Sequence, residues 1–472
     1  MAIVTTNIRQ SLSTTSVTML AVASISSPIG LVIMAQYGER ALFYYALVIL
    51  TFFIPASFIF ASLGASFPKA SGIYGWVKLA FGEKMGNIAI WSQWLGIITS
   101  FPIILSFALS IFLYPFDPHL IKEGHVIVFG SVILLFIAIL GSLKSIKAAA
   151  WLSYFTAITA MFIPGAVLIT IAAAWLLTGH KPLTPMHINS ILPHFTHLST
   201  FALIGATIFM FAGMELTANC MHYMKNPKKQ YAKAVTYASI IIILLSVLGT
   251  LSISILVPAA HTNLISGLMQ AFESGARTLH LFWLPGILAV LMLCGFTSML
   301  SVYLISLAKG IQASAKDGLL PQPFAKENRY GIPTYTVVTL SGIAMLITLL
   351  FVLLPSVHAA YWLIEAIVII GSSLKYLMVF PAAVKLHYKK TSIDRIIKIP
   401  GGNPGMWCMA GAPFLMVLFA TCMTFLPPQQ FSIGNHANYD TILAVGTSLF
   451  IILPLIIGWY SKKTKGYIAC NQ

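Results

Sequence analysis

The chain has 472 residues, of which 58% are hydrophobic and 8% charged, with a mean hydropathy of +0.90. A soluble domain carries roughly 25% charged residues; 27 Lys+Arg and 11 Asp+Glu cannot cover 472 residues with a water-facing surface, so the solvent for most of this chain is lipid. That excludes a secreted enzyme, a nucleic-acid binder and a disordered chain, and leaves the net charge of +16 to be explained by basic loops on one membrane face.

A hydrocarbon core takes about 20 consecutive apolar residues per helix. Twelve stretches qualify, at about 14–37, 41–66, 87–114, 125–143, 148–178, 199–223, 235–257, 284–308, 333–355, 360–386, 405–426 and 440–460. They lack the alternation of barrel strands. The first stretch is long, has no clear small-residue cleavage site and reads as a span, not as a signal peptide. We number the stretches spans 1 to 12.

Twelve spans put both termini on one side. On that side fall 22 Lys and Arg, against Arg40, Lys122, Lys181 and Arg277 on the other, with Lys375 inside a span. The asymmetry predicts a cytoplasmic terminal face in a cell inner (plasma) membrane, with lipid as the surrounding partner and no nucleic acid. The predicted organisation is a cytoplasmic N-terminus at 1–13, a ten-helix core at 14–386 and a cytoplasmic loop at 387–404; spans 11 and 12 at 405–460 and a short cytoplasmic tail at 461–472 follow.

Two spans carry mid-membrane interruptions. Span 1 contains Ser24-Ile25-Ser26-Ser27-Pro28-Ile29-Gly30, and span 6 contains Phe211-Ala212-Gly213-Met214-Glu215-Leu216-Thr217-Ala218-Asn219. Broken helices at membrane depth are tolerated where they line a cavity. Each of these spans opens a set of five, as an inverted repeat of about 14–178 and 199–386 would require. Half-helix N-termini attract a carboxylate and the opposing carbonyls an ammonium, so two breaks facing each other favour a small zwitterion. Pro55, Pro102 and Pro164 read as ordinary kinks.

Of the acidic residues, Glu215 and Glu365 fall well inside spans, and both are proton-coupling candidates. Lys375 lies ten residues after Glu365, about 15 Å along one helix, so those two cannot pair directly. Lys375 is expected to pair with another helix, line water or snorkel. Ten of the twelve histidines (His119, His125, His180, His187, His194, His197, His261, His280, His358 and His436) fall on or near the non-cytoplasmic side. They read either as sensors of external acid or as loop composition. The five cysteines, Cys220, Cys294, Cys408, Cys422 and Cys470, have no paired spacing and read as small apolar residues; no cofactor, metal site or nucleophile–base arrangement is expected.

Span 2 and the following loop read Pro55, Ala61-Ser62-Leu63 and Pro68-Lys69-Ala70-Ser71-Gly72-Ile73-Tyr74-Gly75-Trp76. This resembles the proline, Ala-Glu-Leu and Pro-x-x-Gly-Gly-x-Tyr-x-Trp pattern of the amino acid–polyamine–organocation superfamily, with Ser62 for the usual Glu and Ser71 for the first Gly. Gly213-Met214-Glu215 with Met224-Lys225-Asn226-Pro227 is similar to span 6 and its exit in one branch, the bacterial glutamate/γ-aminobutyrate antiporters of acid resistance. Ala308-Lys309-Gly310, Asp317 to Lys326 and Lys398-Ile399-Pro400-Gly401-Gly402 resemble that branch's loops 8–9 and 10–11.

The resemblance implies an all-α, LeuT-type 5+5 inverted repeat with two extra helices, broken helices 1 and 6, and alternating access. It implies substrate contacts at Ser26, Ser27, Pro28, Ile29, Gly30, Phe211, Gly213, Met214 and Glu215, on Tyr303 in span 8, and on span 10 near Gly371 to Tyr376, including Lys375 and Tyr376. Trp94 in span 3 becomes an aromatic gate, and Trp94 and Tyr303 can cover a bound ammonium. The branch's long C-terminal plug is missing, so autoinhibition of that kind is not expected. Thr297, Ser298 and Ser301 keep open oxygen ligands for Na⁺. The expected function is an amino acid exchanger for glutamate/γ-aminobutyrate-like or neutral substrates; a proton- or sodium-coupled symporter is the alternative and a non-transporting amino acid receptor a remote one.

Overall fold

The computed structural model describes residues 13–25, 28–67, 72–143, 146–185, 191–192, 201–217, 224, 227–316, 320–354, 356–389, 399–426, 439, 441–448, 452 and 456. Among them, nine helices are long and apolar enough to cross a membrane: Gly38–Ser66, Glu83–Leu113, Gly124–Ser142, Trp151–Leu177, Lys229–Leu256, Leu284–Gln312, Thr334–Leu353, Val357–Tyr388 and Gly402–Thr424. They match predicted spans 2 to 5 and 7 to 11. The described part of span 1 comprises the helices Thr14–Ile25 and Pro28–Ala35, with residues 26–27 between them outside the described residues, and span 6 breaks into Ile204–Met210 and Met214–Thr217. Most of span 12 lies outside the described residues, as do Pro68 to Ser71, Ala218 and Asn219, and His187, His194, His197, His222 and His436.

Two further helices were read as loop. Gly72–Phe81 buries Ile73, Trp76 and Val77 and packs against the helix Glu83–Thr99 and against span 10. Gly267–Thr278 buries Leu268, Met269 and Phe272 and packs on spans 5 and 7. Each has one apolar face, too short a run to resemble a membrane span and enough to cover the end of the bundle.

The predicted kinks have different local forms. Span 2 widens into a π-helical turn at Ile49–Phe53 just before Pro55, and span 5 does so at Ala157–Phe162 just before Pro164. Proline lacks an N–H and its ring collides with the carbonyl four residues back; one extra residue in the turn relieves both. In span 3 the chain turns at Ser100 and restarts as Phe101–Leu113 with Pro102 in its first turn. Ser100 Oγ donates to the carbonyl of Ile97 at 2.7 Å.

The outer surface is apolar. Phe129, Phe136, Leu177, Leu346, Leu353 and Leu415 are exposed, as lipid-facing side chains are. The interior is closed by large rings, with Tyr44, Phe52, Phe60, Trp76, Phe101, Trp362 and Tyr376 wholly buried. The discontinuous spans lie inside this shell. Thr14–Ile25 packs on span 7, span 5 and the half-helix Met214–Thr217; Pro28–Ala35 packs on span 7 and the half-helix Ile204–Met210. Span 10 packs on span 3, span 11 and Ile204–Met210. A Cβ on Gly30 would lie 2.6 Å from Met210 Cγ, so glycine is what lets spans 1 and 6 touch.

Candidate functional site

The break in span 6 is built locally. The N–H groups of Phe211 and Ala212 donate to the carbonyls of Ile208 and Phe209 at 3.0 and 3.1 Å, tightening the last turn. Gly213 then takes φ +119°, which a side chain would strain. The helix restarts at Met214.

Glu215 sits just past the break and is 2% exposed. Its carboxylate accepts three groups: Lys375 Nζ to Oε1 at 2.7 Å, Tyr376 OH at 3.0 and 3.1 Å to the two oxygens, and the Gly213 N–H to Oε2 at 3.1 Å. Lys375 also lies 4.7 Å from the centre of the Tyr376 ring. Burying two charges costs several kcal/mol each, recovered only when geometry is good and the remaining lone pairs are satisfied. Both conditions are met here. The cluster pins the restarted half of span 6 to the middle of span 10.

Between spans 1 and 6 lies a cavity of about 190 Å³, room for a small metabolite. Span 1 contributes Pro28, Ile29 and Gly30, and span 6 contributes Phe209, Met210, Ala212 and Gly213. Span 3 adds Gln93 and Ser100, span 8 adds Phe296 and Tyr303, and span 10 adds Glu365, Ser372 and Lys375. The walls combine apolar surface with a few polar groups, as small-molecule sites do. Gln93, Tyr303, Glu365 and Ser372 make no side-chain hydrogen bond among the described residues. Buried polar groups are normally bonded; these four face the cavity instead.

Of the predicted site residues, Pro28, Ile29, Gly30, Gly213, Tyr303, Glu365 and Lys375 meet on this cavity. Ser26 and Ser27 lie outside the described residues. Glu215 and Tyr376 stand behind Lys375 and do not line the space. Phe211 and Met214 are buried in the packing, with Phe211 against Phe53 at 4.9 Å between ring centres. Trp94 is not at the cavity wall either: its indole fills the space left by Gly310 of span 8, where a Cβ would lie 3.1 Å from Nε1. Of the three expectations for Lys375, it pairs with another helix and also reaches the cavity.

Sequence reading missed Gln93 and Ser100, while Ser372 lies within the expected stretch from Gly371 to Tyr376. Gln93 had a signal, as an amide in an otherwise apolar span. Two of the three candidate sodium ligands donate within the protein: Thr297 Oγ1 to Leu293 O at 2.7 Å, and Ser301 Oγ to Ala138 O at 3.0 Å. Cys294, Cys408 and Cys422 are free and exposed on the apolar surface.

Comparison with known proteins bears on what this arrangement handles. A sequence model described as amino acid permease matches residues 12–450. An uncharacterised transporter of Legionella pneumophila is 32% identical over 97% of both chains. A glutamate/gamma-aminobutyrate antiporter of Lactococcus lactis is 28% identical over 82% of this chain and 78% of its own. A probable agmatine/putrescine antiporter of Lactococcus lactis is 22% identical over 92% of this chain and 91% of its own. With a multi-pass apolar bundle around a central polar cavity, the match over nearly the whole length identifies the chain as a member of the amino acid permease family, a membrane transporter of amino acids and not an enzyme.

Proposed function

We propose that this transporter is an exchanger working by alternating access, with glutamate/γ-aminobutyrate-like or neutral amino acids as substrates. The single observation that carries the reading is that span 6 breaks on a cavity it shares with span 1, where Gln93, Tyr303, Glu365 and Ser372 lack protein partners among the described residues. The first half of span 1 touches the second half of span 6, and the second half of span 1 touches the first half of span 6. That cross-pairing supports a twelve-span, LeuT-type inverted repeat. The zwitterion's carboxylate sits at the half-helix N–H groups and its ammonium at the facing carbonyls. Spans 1, 2, 6 and 7 then rock against the rest. The names of the antiporter relatives support exchange and the substrate class. The Lys and Arg asymmetry supports a bacterial inner membrane with both termini cytoplasmic.

The test is exchange in proteoliposomes preloaded with each amino acid in turn. An exchanger releases label only when amino acid is supplied outside, because return of the empty carrier is slow. Rapid efflux into plain buffer would point to a uniporter or an ion-coupled symporter.

A further inference from the structure

Three charged side chains belong to this cavity or stand directly behind it, and they do not cancel. Glu215 and Lys375 neutralise each other at 2.7 Å. Glu365, on the same helix as Lys375 and about 15 Å from it along the axis, has no ion pair or hydrogen bond among the described residues. Its surface is partly open, and what it opens on is the cavity. Val368, Ser372 and Lys375 follow it along the same wall at helical spacing. An ionisable group at membrane depth is costly without a partner, and nothing else described here supplies one.

We propose that Glu365 is a subsite for a second cationic group on the substrate, an amine or guanidine beyond the α-amine, so that a cationic amino acid is among the species carried. The inference rests on reading this cavity as the substrate site. An ammonium or guanidinium held at Glu365 would give its carboxyl group the partner that the described residues do not. The other titratable groups on the surrounding elements are Tyr303 on span 8, Lys375 with Glu215 and Tyr376 behind it, and Tyr361 and His358 one and two turns earlier on span 10. Lys375 is the sole cation among them near neutral pH, and it is already committed.

Ornithine, glutamine and glutamate share a five-carbon chain and differ in side-chain charge. Their competition for labelled substrate is measured near neutral pH with the full-length protein in proteoliposomes. The wild type is expected to bind ornithine alongside the glutamate-like or neutral substrates. Glu365→Gln is expected to lose ornithine affinity by about tenfold or more, with glutamine changed by no more than about twofold. Glu365→Asp keeps a carboxylate and is expected to keep ornithine binding. An ornithine-to-glutamine ratio unchanged in Glu365→Gln, or lost in Glu365→Asp while glutamine still binds, overturns the proposal and leaves the amino acid exchanger standing. So does a wild type that binds glutamine or glutamate and in which ornithine does not compete. A wild type that engages none of the three would overturn the substrate reading and this proposal with it.

Discussion

Glu215 and Lys375 carry two opposite charges into the centre of the bundle, and each depends on the other. Lys375→Met leaves a buried carboxylate with only a phenol and a backbone N–H, and is expected to destabilise the protein by about 3–5 kcal/mol. The double change Glu215→Gln with Lys375→Met removes both charges and is expected to regain most of that loss. Thermal unfolding of the purified protein checks both; a double variant no more stable than Lys375→Met would show that the pair is not what holds the two spans. Both ionisable residues were visible in the sequence as charges inside apolar runs, and the exclusion of Lys375 as a partner of Glu365 followed from helix rise alone. What was not legible was the partner. Residues 215 and 375 are 160 positions apart, and their register depends on how spans 6 and 10 pack. Trp94 illustrates the same limit. An aromatic in span 3 can face a cavity or a neighbour, and the choice is made by Gly310, which offers no side chain.

At the scale of elements, the break in span 6 was readable because a Gly-containing polar stretch in mid-membrane has few structural uses, whereas Ser26 and Ser27 of span 1 lie outside the described residues. The distortions at Pro55 and Pro164 were half readable: proline announces that the helix is disturbed, while neighbouring helices decide that it widens into a π turn. Gly213→Ala places a side chain at φ +119° and is expected to cost about 1–3 kcal/mol and to reduce transport at least tenfold. Gly342→Ala, where an added Cβ meets nothing within 4 Å, is expected to leave transport unchanged. Equal effects of the two on proteoliposome uptake would remove the special role of the span 6 break.

A second element-scale prediction concerns the connection between spans 8 and 9. Glu327 accepts from Lys316 at 2.8 Å, Gln312 at 2.8 Å and Lys309 at 3.3 Å. The hydrogen bond from Lys316 leads in pulling its carboxyl down to about 2 from an ordinary 4.5; burial opposes this, and Gln312 and Lys309 add to the lowering. A lowered folded value means the stabilisation is complete above the unfolded value and is lost as the pH falls from 4.5 through about 2. The difference in melting temperature between the wild type and Glu327→Gln is therefore expected to shrink between about pH 5 and pH 2. A difference that is constant across that range would mean the carboxylate charge is not used.

For the whole molecule, composition alone established the lipid environment, and periodic apolar runs located nine of the long helices to within a few residues. The two amphipathic end helices escaped because they are half polar and short. The cavity was inferred from the breaks, yet its walls also draw on spans 3, 5, 8 and 10, and only assembly of the bundle brings Gln93 and Ser372 to it. The central claim is that this space holds the transported amino acid. Ser372→Cys, in a background where the native cysteines are replaced, places a near-isosteric thiol on the wall. Its rate of modification by a small polar thiol reagent is then measured with and without saturating substrate. The account predicts that a transported amino acid slows labelling at least tenfold and that an untransported one does not. Labelling at the same rate with and without transported substrate would contradict it.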